Sequence, residues 1–234
     1  MQLFYNPSIA TDSTSFIFDK EESKHIIKVL RKNQGDILYV TNGLGTIFKT
    51  KITIPSDSKC TVEIVEFEQK NKPKVELHLA VAPTKMNERY EWFLEKATEI
   101  GIQEITPIIC EHSERRVVKT DRLEKILISA MKQSNQCFLP KLNNPISFSN
   151  FINQKFVGQK YIAHCEETQK KSLKTQLKTN ENVTILIGPE GDFSIKEIEM
   201  ALHNKFIPVT LGNTRLRTET AAIVACHSVV FANE

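Results

Sequence analysis

The hydrophobic rhythm of this chain changes once, at Pro73, and that change limits the possible folds more than any single motif does. Before it, apolar and polar residues alternate at the period of a half-buried strand; after it, short apolar runs alternate with stretches of helical spacing. In the first part, Phe16-Ile17-Phe18 is a short run, and Ile37, Leu38 and Val40 mark a strand over 36–41. Asn42-Gly43 follows as a hairpin signal, and alternation resumes over 47–54 and 61–67. One helix is predicted over 21–32, with Ile26, Ile27, Val29 and Leu30 turned inward. Short strands separated by Gly, Asn and Pro predict a small β-barrel over residues 1–70. The polar stretch 68–73 reads as the linker to a second domain over 73–234.

In the second part, strands are predicted over 75–81, 105–109, 161–165, 183–187 and 207–211. Helices fall between them. The first runs over 84–100, with Met86, Tyr90, Phe93, Ala97 and Ile100 at helical spacing and Gly101 as its stop. Asp121 to Glu124 and Ser194 to Glu197 have capping-box spacing. The first opens a helix with Leu123, Leu127, Ala130 and Met131 inside, and 218–231 is a helix apolar nearly all round. Lys170 to Lys174 reads as a solvated helix face. Alternating strands and helices imply a parallel sheet covered on both faces, so the whole chain is of α/β class.

Charge narrows the partners. Lys plus Arg is 31 and Asp plus Glu is 28 in 234 residues, a net charge of +3, so nucleic acid could be held only by local patches. The longest apolar run, 221–226, is far too short to span a bilayer, and Asn6, Asp12 and Asp19 interrupt the amino terminus where a signal peptide needs an apolar stretch. The five cysteines are scattered, with no CxxC pair. Neither a disulfide framework nor a metal site is suggested, which fits a cytoplasmic protein whose cysteines mostly serve as small buried hydrophobes.

Open parallel sheets bind ligands beyond the carboxyl ends of their strands. Two loops in such places stand out: Gly188-Pro189-Glu190-Gly191-Asp192-Phe193, and 212–220, in which Arg215 and Arg217 flank Leu216 and Glu219 follows. Glycines at a strand exit let the backbone approach a ligand, and its N–H and C=O groups can then meet a flat heterocycle such as adenine. Neither Walker A nor GxGxxG spacing is present, which makes phosphate cradling a poor reading and leaves a nucleotide-dependent dehydrogenase without its pattern. Charges placed just before so apolar a helix are costly to bury unless they pair or serve a ligand. For Arg217, the structural use would be an ion pair with Glu190 or Glu219.

These residues resemble a known family. Gly188 to Gly191 with Phe193 and Ser194, then Leu211-Gly212 and Leu216-Arg217-Thr218-Glu219-Thr220-Ala221, are similar to the two signature loops of the SPOUT methyltransferases. More narrowly, they resemble those of the bacterial 16S ribosomal RNA uridine-N3 methyltransferases. His25 to Arg31, Lys96 to Gly101 and the stretch from Gln133-Ser134 to Pro140 match that family in order, so the resemblance runs the whole length. Asp192 departs from it, standing where a second glycine is usual, and Asn135-Gln136 replaces a more usual Gly-Arg or Cys-Arg pair.

The resemblance implies a PUA-like amino-terminal barrel, a SPOUT domain with a trefoil knot, a homodimer, and S-adenosylmethionine as cofactor. Carried over by position, the cofactor would be held by Cys165, by Ile187, Gly188, Pro189, Glu190 and Gly191, by Leu211 and Gly212, and by Leu216, Arg217, Thr220 and Ala221. Arg217 would also be catalytic. The RNA of the small ribosomal subunit would meet Lys24, His25, Lys28 and Arg31 in the first domain and Arg115 and Arg116 in the second. The competing readings are a tRNA 2′-O-ribose methyltransferase on the same knot and a non-catalytic RNA-binding protein.

Overall fold

In the computed structural model the described residues are 2–166 and 169–234, and they fall into two compact units. The first comprises residues 1–72 with 131–139, the second 73–130 with 140–234.

The first unit holds one five-stranded sheet made of β1 (Leu3–Tyr5), β2 (Ser15–Ile17), β3 (Ile37–Thr41), β4 (Thr46–Ile54) and β5 (Thr61–Gln69), in the order β1-β3-β4-β5-β2. β1 runs parallel to β3 and the other pairings are antiparallel. Alternation in β4 sends Phe48 and Ile52 into a core with Phe4, Val40 and Val62, while Lys49 and Lys51 face Glu66 and Glu63 across the strand pair. The helix predicted over 21–32 is shorter and irregular: α1 (Lys20–Lys24), capped by Asp19, widens into a π-turn over His25–Val29. The wider turn shifts the side-chain register, so Ile26 is buried while Val29, expected inward, is 65% exposed. The chain leaves the helix through Arg31 at φ +54°. Residues 68 and 69, expected in the linker, belong to β5, and the Lys70 N–H donates to the Gly45 carbonyl at 2.8 Å. The 131–139 segment joins this unit through the β3–β4 turn, where the Gly45 and Leu139 N–H groups donate to the Cys137 and Gly43 carbonyls, each at 2.9 Å.

The second unit contains β6 (Leu77–Val81), α2 (Asn87–Ile100), β7 (Glu104–Ile109), α3 (Thr120–Gln133), β8 (Lys141–Leu142), β9 (Ile146–Ser147), α4 (Phe148–Ile152) and β10 (Gln159–Ala163). It continues through β11 (Lys171–Ser172), α5 (Leu173–Gln176), β12 (Val183–Ile187), α6 (Ile195–His203), β13 (Ile207–Thr210) and α7 (Thr218–Ala232). The last residues of α3 cluster with the first unit. All strand pairings are parallel, in the order β11-β13-β10-β12-β6-β7-β8, with β9 also on β7. Strand alternation divides the buried side chains between two faces. Ala80, Ile108, Ile162 and Leu186 pack with Phe148, Phe151 and Ile198 of α4 and α6. Leu79, Val81, Ile185 and Ile187 are buried on the opposite face, where α7 packs on β6, β12 and α2. That double cover is why the strands read as short, mostly apolar runs rather than as strict alternation.

Three details differ from the sequence reading. The helix predicted from Thr84 begins at Asn87, leaving Thr84 to Met86 as a loop with Met86 half exposed. α3 begins at Thr120, so Asp121 lies inside the first turn instead of capping it. Lys171-Ser172 is an edge strand rather than a helix face, and α5 starts at Leu173, whose side chain is buried. The Ser194–Glu197 capping box is fully formed.

Candidate active site

Three neighbouring parallel strands, β13, β10 and β12, end level with one another. Ala163 pairs in register with Ile187 on one side and with Val209 on the other. Their exits therefore bring Cys165, the Gly188–Asp192 loop and the Leu211–Arg217 segment together at the carboxyl edge of the sheet. A two-lobed cleft lies there. The larger lobe, about 620 Å³, is lined by residues including His164, Lys170, Gly191, Leu211 and Gly212. The smaller, about 270 Å³, is lined by Ile187, Gly188, Pro189, Glu190, Arg217 and Thr218 among others. Cys165, Asp192, Leu216 and Ala221 line both. Of the twelve residues expected to hold a cofactor, Thr220 lines neither lobe.

The 188–192 loop is fixed from several directions. A Cβ on Gly188 would lie 3.0 Å from the Phe193 ring, and one on Gly191 would lie 3.1 Å from the His112 Cβ, so a side chain at either position would press on its neighbour. The Thr218 hydroxyl donates to the Gly188 carbonyl at 3.0 Å, joining the loop to the start of α7. His112 Nδ1 sits 3.0 Å from the Gly191 carbonyl oxygen and 3.2 Å from that of Asp192. The Glu190 carboxylate accepts the Lys85 N–H at 2.9 Å, and Lys85 Nζ pairs with Glu114 at 2.7 Å. Glu219 is buried, with Oε1 3.8 Å from Arg89 Nε, while its Oε2 has no hydrogen-bond partner. Neither carboxylate that could have neutralised Arg217 is paired with it: Glu190 accepts a main-chain N–H, and Glu219 approaches Arg89 with one oxygen and leaves the other without a partner. The Arg217 guanidinium is exposed, beside the smaller lobe, with no hydrogen-bond or ion-pair partner among the described residues.

His164, at the exit of β10, is a residue that sequence reasoning missed. It is 7% exposed, and neither ring nitrogen has a hydrogen-bond partner. Burial lowers its pKa, Lys170 adds to that effect, and Asp192 and Glu166 oppose it. Asp192 is half-buried, and its Oδ2 accepts the Cys165 N–H at 2.7 Å.

The basic residues expected on RNA have varied surroundings. Lys24 and Arg31 are exposed in the first unit; Lys28 Nζ is 3.3 Å from Asp57, and His25 Nε2 is 3.2 Å from the Gln2 amide nitrogen. In the second unit, Arg115 is half-buried and donates from Nε to the Thr84 carbonyl at 3.0 Å and from Nη2 to the Lys85 carbonyl at 2.6 Å. It braces the loop whose N–H holds Glu190. Arg116 is exposed and donates to the Glu111 carbonyl at 3.0 Å. Among the described residues, no group of three or more His, Cys, Asp or Glu side chains is placed to hold a metal ion, and no helix is long and apolar enough to cross a membrane.

Comparison with known proteins supplies a family. The profile described as an RNA methyltransferase domain matches residues 70–230, and that of an RNA methyltransferase PUA domain matches 18–65. A Buchnera aphidicola protein named ribosomal RNA small subunit methyltransferase E is 33% identical over 92% of this chain and 87% of its own length. A Porphyromonas gingivalis crystal structure, described as a probable rRNA-methyltransferase, superposes with a TM-score of 0.92 at 40% identity, covering 99% of both chains. A Legionella pneumophila protein solved with its cofactor SAM bound gives a TM-score of 0.88 at 29% identity, covering 99% of this chain and 97% of that one.

Proposed function

Because the chain belongs to the ribosomal RNA small subunit methyltransferase E family, with a PUA-like amino-terminal domain and a methyltransferase domain, we propose that it methylates N3 of a specific uridine in 16S rRNA, using S-adenosylmethionine. The role belongs to rRNA processing and ribosome biogenesis in the cytoplasm. Residues 1–70 form the RNA-binding module, 73–234 the SPOUT catalytic domain with its trefoil knot, and the working unit is a homodimer.

The observation that carries this reading is the level ending of β10, β12 and β13, which sets a rigid, glycine-bearing loop and a partnerless guanidinium on one cleft. The cleft's chemistry fits the cofactor. The uncommitted His164 nitrogens offer one donor and one acceptor to a polar ligand, and Gly188 and Gly191 let the backbone come close. Ile187, Leu211, Leu216 and Ala221 supply apolar walls, with Cys165, Pro189, Glu190, Gly212 and Thr220 on the same three segments. When bound, S-adenosylmethionine supplies an electrophilic methyl group on sulfur.

This chain's own contribution is alignment and charge. Uracil N3 must lose a proton to become a good nucleophile, and the resulting negative charge spreads over the two carbonyl oxygens. Arg217, with its unspent guanidinium beside the smaller lobe, would favour the deprotonated base by attracting that charge. Glu219, buried and directed to Arg89, is positioned to hold the start of α7 rather than to take the proton, which leaves to water. Lys24, His25, Lys28 and Arg31, with Arg116, hold phosphates and fix the register of the RNA without reading bases. Arg115 adds its charge to that of Arg116 in the second unit while bracing the Lys85 loop.

The alternatives, ribose methylation of tRNA and RNA binding without catalysis, are not favoured by the full-length family match. Incubation with labelled S-adenosylmethionine and 30S subunits, followed by mass spectrometry of the RNA, tests the proposal. A single N3-methylated uridine in 16S rRNA is expected. A methyl group on a ribose, or no incorporation by protein that binds the donor, would overturn it.

A further inference from the structure

Asp192 adopts φ +62°, a left-handed conformation that glycine takes freely and side-chain-bearing residues rarely do. The backbone is held there both within the loop and by His112. Its N–H donates to the Pro189 carbonyl at 2.9 Å, and its carbonyl oxygen lies 3.2 Å from His112 Nδ1. The side chain is thereby aimed at the waist of the cleft. Oδ2 accepts the Cys165 N–H at 2.7 Å, and Oδ1 has no hydrogen-bond or ion-pair partner among the described residues. Glu166 lines only the larger lobe and Glu190 only the smaller, so Asp192 is the carboxylate common to both. The other charged side chain on the shared wall is Arg215.

A sulfonium is a three-way junction: one arm carries the nucleoside, one the amino acid and one the methyl group. A two-lobed cleft that separates the nucleoside from the amino acid brings the sulfur to the wall that the lobes share. That wall would be net positive without Asp192, which disfavours a sulfonium. His164 adds no further cation, because burial keeps its imidazole neutral. Lys170 lines only the larger lobe, off the shared wall, and its ammonium is held by the His164 and Glu166 carbonyls at 2.7 and 2.6 Å.

We propose that the Asp192 carboxylate is the counter-charge for the donor's sulfonium and makes this cleft prefer the cationic donor over its neutral thioether product. The inference rests on the cofactor reading above. It assigns Asp192 two tasks: tying the 188–192 loop to the β10 exit through Oδ2, and discriminating ligand charge through Oδ1.

Calorimetric titration of the full chain with S-adenosylmethionine and, separately, S-adenosylhomocysteine distinguishes these tasks. Asp192→Asn tolerates left-handed φ and retains an acceptor for the Cys165 N–H, so it removes charge alone. Asp192→Gly relieves the backbone and removes both. The ratio of donor to product affinity is expected to fall roughly fivefold in both variants, the scale of a half-buried charge pair. Product affinity in Asp192→Asn should stay within about twofold of the parent, since a neutral thioether does not sense the charge. Equal losses for both ligands would assign Asp192 to loop positioning alone and overturn the inference, as would an unchanged ratio. Failure of the parent protein to bind either ligand would overturn the cofactor reading itself, and this inference with it.

Discussion

The hydrogen bond from Thr218 to Gly188 can be tested by removing one atom's function. Thr218 is 5% exposed, Gly188 is buried, and the 3.0 Å bond is the one that the Gly188 carbonyl receives among the described residues. Thr218→Val keeps the volume and β-branching of the side chain but deletes the donor. The carbonyl is then stranded away from water, a cost of about 1–3 kcal/mol. For a structural unit of this size, a loss near the middle of that range lowers Tm by roughly 4–8 °C. The same bond fixes the beginning of the 188–192 loop, so S-adenosylhomocysteine should bind several-fold more weakly as well. Thermal melts with and without that ligand, together with calorimetric titration, measure both effects. Thr218→Ser, which restores the hydroxyl, should recover most of each. A valine variant that melts within about 1 °C of the parent and binds equally well would show that the bond contributes nothing. A serine variant as impaired as the valine would assign the effect to the lost methyl contact.

Arg217→Ala should leave product binding close to that of the parent and lower the rate of methyl transfer by about 10²–10³-fold, the scale of removing one oxyanion-stabilising donor; full activity measured on 30S subunits would remove Arg217 from the mechanism. Arg116→Ala should reduce the slope of log affinity against log salt for RNA by roughly 0.7–0.9, read from filter binding over a salt series. Arg115→Ala should additionally weaken cofactor binding, because the Lys85 N–H that holds Glu190 loses its brace. Burial raises the thiol pKa of Cys60, Cys110 and Cys137 and pushes Cys226 up to about 12, whereas Cys165 is exposed in the cleft. At pH 8 a thiol reagent should therefore modify Cys165 rapidly and the other four only after unfolding, and S-adenosylhomocysteine should slow the reaction at Cys165.

What the sequence revealed and concealed divides along physical lines. Periodicity disclosed β6, β7, β10, β12 and β13, because strands buried on both faces leave short, mostly apolar runs such as Val183 to Ile187, broken only by the buried Thr184. It missed β1, three residues long and paired in parallel with a strand more than thirty positions away, since nothing local encodes such a partner. The π-turn over His25–Val29 was equally invisible: its sequence, HIIKV, suits an ordinary helix, and only the burial of Ile26 with Val29 outside reveals the altered register. Residues 131–139 are partly helical in pattern, yet they group with the first unit through hydrogen bonds to the β3–β4 turn. Backbone hydrogen bonds of that kind leave no trace in side-chain chemistry.

The site shows the same division, with consequences for how its charges act. The sequence offered Glu190 and Glu219 as partners for Arg217 and left the pairing open, because opposite charges in the same or a neighbouring loop can neutralise one another or be kept apart. The structure keeps them apart: Glu190 is committed to a main-chain N–H, and Glu219 turns one oxygen towards Arg89 and neither towards Arg217. Glu190 accepts a main-chain N–H from the β6–α2 loop, and that loop is itself held by Arg115. Glu219 is buried at the start of α7 and directed to Arg89 on α2. An arginine satisfied by either carboxylate would have to break that pair before meeting a developing negative charge, and the lost Coulomb energy would be subtracted from any stabilisation it gave. Arg217 has no such pair to break. Its full charge is available at the mouth of the smaller lobe, while the neighbouring acids serve to hold the loops that frame it.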